Sequence, residues 1–347
     1  MENPNCLQCK MKMQVSPSVR VSIINWNGSK YIEKCIESLI HQTYDNYEIV
    51  VMDNASTDGS SEIVKRRFPN VQIVELDRNY GFARAANISL RNCGKSYGIV
   101  MNNDAWVQKN FIESLVGVAE SDPRIASVAC KVVRPTDGTI DHSYVPVFTD
   151  RRKFMNKAPY LIDEPDDRQY QHQCRVLSNC ACAVLYRIIA LMKIGFYDET
   201  MFSNFEDHDA GYRLNLAGYI CIYTPDTAVI HVGGASEGSH SSPKRLKLIV
   251  RNILYSYLKD YESRELLTVV PQLIVALAGR SILYWREDRS QSMPFPWILS
   301  YVLGLKELLS MMPNLIRARR LVQDMRVVPD RTIFQETSIN QFSFYRK

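Results

Sequence analysis

The chain has 347 residues, 46% of them hydrophobic, enough for one large core with a smaller appended unit and too much for a disordered chain. Its 42 basic residues are interspersed with 37 acidic ones, leaving a formal net charge of +5, so nothing in the composition points to nucleic acid. The nine cysteines are odd in number and follow no apolar leader, so they read as cytosolic free thiols rather than a disulfide framework.

Residues 1–18 have little apolar periodicity and contain two prolines, which predicts a loose tail. Cys6 and Cys9 within it have no second pair at a zinc-ribbon spacing. Apolar β-rich runs at 19–24, 47–52, 71–76 and 97–101 then alternate with helical patterns at 29–42, 60–68, 82–91 and 110–120. This order predicts an α/β domain with a mostly parallel central sheet flanked by helices.

In such sheets ligands bind just past the carboxyl ends of the strands. The segments there are Asn25-Trp26-Asn27-Gly28, Asp53-Asn54-Ala55-Ser56-Thr57-Asp58-Gly59 and Asn102-Asn103-Asp104-Ala105. Such residues most often make turns and helix caps, and any one segment is explained that way. Three at the same sheet edge point instead to a bound ligand.

Residues 134–175 carry four prolines and no periodicity, and a loop of this length is expected to be a functional flap facing a ligand. Glu206-Asp207-His208-Asp209 opens a helix ending near Ala217-Gly218, where acids complement the helix dipole. Asp209 and Arg213 are spaced i,i+4, as in an ordinary helix-surface ion pair. His231 ends the apolar run Ala228-Val229-Ile230, and by itself is no metal-site signal.

Past Ser241-Ser242-Pro243 the composition becomes basic and amphipathic, so boundaries are expected between a 1–18 tail, a 19–242 catalytic domain and a 243–347 helical region. The apolar stretch Leu266 to Gly279 is shorter than the roughly 20 residues a membrane span needs, so no transmembrane helix is expected. Residues 244–260 and 297–320 have the composition of helices lying on an anionic bilayer surface. Helices packed on the catalytic domain or in a homo-oligomer have the same composition.

In order and spacing, several segments together resemble family 2 glycosyltransferases of the GT-A type, particularly the bacterial rhamnosyltransferase-like branch, over about residues 19–236. They are Val21-Ser22-Ile23-Ile24-Asn25-Trp26-Asn27, the 53–60 turn, Arg78-Asn79-Tyr80-Gly81-Phe82-Ala83 with Asn87, Asn102-Asn103-Asp104-Ala105, Gly195-Phe196-Tyr197-Asp198-Glu199, Phe205-Glu206-Asp207-His208-Asp209 with Arg213 and Ala217-Gly218-Tyr219, and His231 with Gly233, Gly234 and Ser236. The resemblance implies a GT-A nucleotide-diphospho-sugar transferase fold with a C-terminal helical extension. It implies an inverting, metal-dependent glycosyltransferase of cell-surface polysaccharide or glycan synthesis. The sugar would pass from a nucleotide diphosphate donor, dTDP-rhamnose first and a UDP-sugar next, to a hydroxyl of a saccharide or lipid-linked saccharide. The acceptor would be met at the inner face of the cytoplasmic membrane, through peripheral contact of the C-terminal helices.

By the same resemblance Asn25, Asn27, Asp53, Arg78, Asn79, Gly81, Asn102 and Asn103 would hold the donor nucleotide. Gly81 is expected to need close backbone approach or a positive φ. A divalent cation, Mn2+ or Mg2+, would be bound by Asp104 and His231, the imidazole suiting Mn2+ better. The family's Asp-x-Asp here reads Asn102-Asn103-Asp104, with only the second carboxylate present. Asp207 would be the general base, and Glu206 would orient it or touch the acceptor. Two alternatives are a polyprenyl-phosphate sugar synthase, whose phosphate acceptor needs no base, and a catalytically degenerate nucleotide-sugar-binding module.

Overall fold

The computed structural model describes residues 16–142, 165–166, 170–233, 242–287 and 295–337. The Cys6–Cys9 pair, most of the 134–175 loop, Gly234 and Ser236 lie outside the described residues.

Four parallel strands form one half of the central sheet: β1 (Val19–Asn25), β2 (Tyr47–Asp53), β3 (Gln72–Glu75) and β4 (Tyr97–Asn102), in the order β3-β2-β1-β4. The sheet as a whole is mixed. β9 (Ala183–Arg187) lies antiparallel between β4 and β6 (Ile125–Val133), and β10 (Ile220–His231) runs parallel to β6. The short β5 (Ala105–Val107), β7 (Ile140–His142) and β8 (Cys174–Val176) pair antiparallel with β10, β6 and β10.

Helices α1 (Ile32–Leu39), α2 (Ser60–Arg67) and α4 (Phe111–Ser121) accompany the apolar core on one face, and α3 (Gly81–Leu90), α5 (Ile188–Ile194) and α6 (Glu206–Leu216) that on the other. α1 shows why: Ile32, Cys35, Ile36 and Leu39 recur at helical spacing and are all buried. Each of its large aliphatic side chains contributes roughly 1.5–3 kcal/mol by leaving water. Because the strands are covered on both faces, they read as near-continuous apolar runs.

The C-terminal helices are α7 (Pro243–Asp260), α8 (Ser263–Glu287), α9 (Phe295–Ser310), α10 (Met312–Met325) and α11 (Asp330–Glu336). Ser242 caps α7 by accepting from the Arg245 amide at 3.2 Å, with Pro243 in the first turn, where its missing N–H costs nothing. α7 is buried along most of its length, in a third core shared with Tyr212 and Leu216 of α6, Trp297 of α9 and Leu315 of α10. Residues 244–260 therefore pack inside the protein, one of the arrangements their composition allowed. Among the described residues no helix is long and apolar enough to cross a membrane.

Candidate active site

Register fixes the first part of the site. Asn25 lies beside Asp53, and Ile24 beside Asn102, so the three strand-end segments emerge side by side. Asn25 is buried and joins them: its Nδ2 donates to Asp53 Oδ1 at 2.7 Å and Ser60 Oγ at 2.9 Å, while its Oδ1 accepts from Asn103 Nδ2 at 2.8 Å. Asp53 also accepts from the hydroxyl and amide of Ser56, so three of its roughly four acceptor positions are used internally. Asn27, at φ 51, accepts from the Thr57 amide at 2.9 Å and locks the 25–28 turn to the 53–59 turn. A β-carbon on Gly28 would lie 2.2 Å from Asn103 Nδ2, so the Asn25–Asn103 contact requires glycine there.

Asn54, a residue sequence reasoning passed over, carries the network to the next turn. Its side chain accepts from the Tyr80 amide at 2.8 Å and donates to the Gly81 carbonyl at 3.1 Å, while Asn79 Oδ1 accepts from the Gly81 amide at 2.8 Å. Gly81 has φ 81, and a β-carbon there would meet the Phe202 carbonyl at 2.5 Å, so both reasons for glycine hold at this position. Arg78 is exposed, its guanidinium 4.7 Å from the centroid of the Tyr80 ring, with Arg84 at 4.2 Å from the same centroid.

The antiparallel pairing of β5 with β10 sets His231 opposite Ala105 and brings its Nε2 to 3.3 Å from Asp104 Oδ1. Both residues are buried, and the Val232 amide donates to the Asp104 carbonyl at 3.1 Å. Two adjacent ligands of an octahedral cation bound at about 2.1 Å stand about 3 Å apart, so the pair fits two positions of such a site. Asn102 stands where the family's first carboxylate would be, with its Nδ2 3.1 Å from His231 Nε2. Among the described residues no group of three or more His, Cys, Asp or Glu side chains could hold a metal. A cation here would take its remaining ligands from donor phosphates and water.

Asp207 sits in the first turn of α6, which begins after Phe205 in a left-handed conformation. Its Oδ2 accepts from the Ala181 amide at 3.0 Å and its Oδ1 from the His208 amide at 2.7 Å. The neighbouring Cys182 carbonyl accepts from the Asn102 amide at 2.9 Å, so one short segment ties Asp207 to the end of β4. Desolvation raises the Asp207 carboxyl above its ordinary value despite those two amides. Glu206 is buried beside it.

Asp209 and Arg213 do not form a surface pair. Both are buried, Arg213 Nη2 lies 2.5 Å from Asp209 Oδ2, and Lys259 Nζ of α7 lies 2.5 Å from Asp209 Oδ1. Spacing of i,i+4 is the same on every side of a helix, and this side is covered by α7. Lys259 also reaches Asp198 at 2.6 Å, forming a buried charge cluster that sequence spacing could not reveal because its members lie on three separate segments.

Residues 21–189 match the family model described as Glycosyl transferase family 2. An N-acetylglucosaminyl-diphospho-decaprenol L-rhamnosyltransferase of Mycobacterium tuberculosis is 24% identical over 319 residues, covering 86% of this chain and 95% of the relative. The O-antigen biosynthesis protein RfbC of Myxococcus xanthus is 24% identical over 251 residues, 70% of this chain but 20% of that protein. Among solved structures, the mannosyltransferase PcManGT from Pyrobaculum calidifontis, in complex with GDP-Man and Mn2+, superposes with a TM-score of 0.54 at 16% identity, covering 90% of this chain and 86% of that one. GalNAc-T7 with UDP, GalNAc and Mn2+ gives 0.54 at 17% identity, covering 87% of this chain and 58% of that one. At these identities the structural likeness is one of fold.

Proposed function

We propose that this chain, which belongs to glycosyltransferase family 2 and has the GT-A type fold, transfers a sugar from a nucleotide diphosphate donor to a saccharide hydroxyl with inversion at the anomeric carbon. The single observation carrying this is the convergence at one sheet edge of the Asn25–Asp53–Asn103 network, the Asp104–His231 pair and Asp207. The donor nucleotide is assigned to Asn25, Asn27, Asp53, Asn102 and Asn103, with the Arg78-Asn79-Tyr80-Gly81 turn closing over it. Asp104 and His231 would hold a divalent cation, Mn2+ or Mg2+, which when bound neutralises charge on the departing diphosphate.

Asp207 takes the proton from the acceptor hydroxyl as that oxygen attacks an oxocarbenium-like anomeric carbon. The two amide donors hold its carboxylate in place, and its raised pKa makes it a stronger base than an exposed carboxylate. Glu206, buried beside it, would orient the base or touch the acceptor.

For donor and acceptor we favour dTDP-rhamnose and a polyprenyl-diphosphate-linked saccharide, with a UDP-sugar donor next. The name of the M. tuberculosis relative and the length over which it aligns support the rhamnosyl group and the polyprenyl-linked acceptor, and the dTDP carrier rests on the sequence resemblance. Work at the inner face of the cytoplasmic membrane follows from that acceptor, with α8 and α9 as the contact. Ile298, Leu299, Val302 and Leu303 form an exposed apolar stripe at helical spacing on α9, and Leu267 and Val275 are exposed on α8. The division into a 19–242 catalytic domain and a 243–347 helical region is retained as part of this proposal.

The test is a transfer assay with a panel of dTDP- and UDP-sugars against N-acetylglucosaminyl-diphospho-polyprenol, with the product anomer assigned by NMR. Transfer from dTDP-rhamnose with inversion is expected. A product of retained configuration would overturn the single-displacement mechanism, and transfer only to polyprenyl phosphate would favour the synthase reading.

A further inference from the structure

Six non-glycine residues among those described have positive φ, and three of them, Phe202, Asn204 and Phe205, fall within four consecutive positions just before Asp207. Phe202, at φ 64 and ψ −70, is the centre of a γ-turn of the rare hand, closed by the Ser203 amide on the Met201 carbonyl at 2.8 Å. Bulky side chains occupy such conformations only where their surroundings impose them, and such sites cluster where geometry serves function.

The surroundings here are α7. Asn252 Nδ2 lies within hydrogen-bond reach of the Met201 and Ser203 carbonyls, both at 2.9 Å, and of the Asn204 carbonyl at 2.6 Å, its two hydrogens shared among three acceptors. Arg251 Nη2 donates to the Thr200 and Met201 carbonyls at 3.1 and 2.9 Å. Arg251 Nε donates to Asn252 Oδ1 at 2.9 Å, fixing the orientation of that amide, and Nη1 is anchored on Glu307 of α9 at 2.8 Å. Both Arg251 and Asn252 are buried. Lys259, farther along α7, ties Asp198 and Asp209 on either side of the same segment.

What this segment touches explains why its shape matters. The Phe202 carbonyl accepts from the Ala83 amide at 3.1 Å, and carbonyl and ring together fill the place a Gly81 β-carbon would need. At the other end Phe205 caps α6 immediately before Glu206 and Asp207.

We propose that Asn252 and Arg251 are positioning residues for catalysis, holding residues 200–205 in a left-handed path that sets the Gly81 turn and Asp207 at a fixed separation. This rests on the reading of Asp207 as the base and of the Gly81 turn as part of the donor site. The helical C-terminal region is on this view a working part of the active site.

The experiment uses the full chain and compares wild type with Asn252→Ala, Arg251→Lys and Asp207→Asn. Turnover is measured as nucleotide release from whichever donor sugar the wild type accepts, and binding with UDP and dTDP in the presence of Mn2+. A displacement of about 1 Å costs on the order of 10²-fold in turnover, so Asn252→Ala is expected to lose kcat by that factor while nucleotide Kd moves by less than about threefold. Adding Asn204→Gly to Asn252→Ala should recover about tenfold, because glycine at this φ 67 position follows the left-handed path unaided. That recovery separates positioning from a general loss of packing. Should Asn252→Ala fail to fold, Arg251→Lys decides in its place: it keeps the charge facing Glu307 but loses the fork that reaches the two carbonyls, with a kcat loss of about tenfold expected. Wild-type kcat in both clamp variants beside an inactive Asp207→Asn overturns this inference alone, and so does an equal loss of kcat and nucleotide binding. An Asp207→Asn protein as active as wild type overturns the base assignment and this inference with it.

Discussion

His208 follows the proposed base in the chain and packs with the rings of Phe205 and Tyr257, at centroid distances of 4.3 and 6.3 Å. Burial pushes its pKa down from 6.5 to about 3, so in the folded chain the ring is neutral, whereas the unfolded chain protonates it below about 6.5. Its contribution to stability is therefore present above pH 6.5 and lost as pH falls from there towards 3, at up to about 1.4 kcal/mol per pH unit. Asp207 has the opposite sign: its raised pKa favours the folded state at low pH, and that contribution is lost as pH rises through the folded value. Denaturant unfolding at pH 6.5 and 5 should show the slope, and His208→Asn should flatten it by close to one proton; an unchanged slope contradicts the buried neutral ring. The partners of these residues were unequally legible. Asn25, Asp53 and Asn103 stand out in sequence because three polar segments follow strands that end at the same sheet edge, although each segment alone reads as a turn or cap. Gly28 and Asn54 are in the same segments, but their roles depend on a 2.2 Å approach and on a turn 26 residues away. Asp209 and Arg213 show the correct pairing on the wrong side of the helix, since spacing carries no information about what covers it.

Among the elements, the turn before α3 is the most constrained. Gly81 combines φ 81 with a carbonyl 2.5 Å from where a β-carbon would sit, and the Asn79 and Asn54 side chains hold its amide and carbonyl. Gly81→Ala must move either the turn or the Phe202 loop. A stability loss of about 2 kcal/mol or more is expected from backbone strain and overpacking together, with weaker nucleotide binding, measurable by urea unfolding and by titration with UDP or dTDP. An alanine protein with wild-type stability and affinity would mean that the turn is not held as described. The parallel half of the sheet could be read from its alternating strand and helix periods, and α3 and α4 fall within a residue of the expected ranges. β9 could not. It is a five-residue strand of four apolar residues and Arg187, too short for periodicity to separate strand from helix, and its place between β4 and β6 depends on pairing between distant segments.

Across the whole molecule, the C-terminal helices serve two surfaces. α7 faces inward, against α6 and the 198–205 segment, while α8 and α9 carry apolar side chains outward. Membrane contact predicts cosedimentation with anionic phospholipid vesicles, weakened by salt and by Val302→Glu with Leu303→Glu. Binding indifferent to those two changes would remove α9 from the contact. Donor, metal and base roles alike require one set of strand ends to form a transferase centre. The most direct measurement is nucleotide release by the purified chain from the dTDP- and UDP-sugar panel, with a polyprenyl-linked acceptor, in Mn2+ or EDTA, beside Asp104→Ala and Asp207→Asn. Release from one donor that requires metal and falls at least about 10²-fold in both variants is predicted. No release from any donor, or release untouched by either substitution, would contradict the assignment of this site.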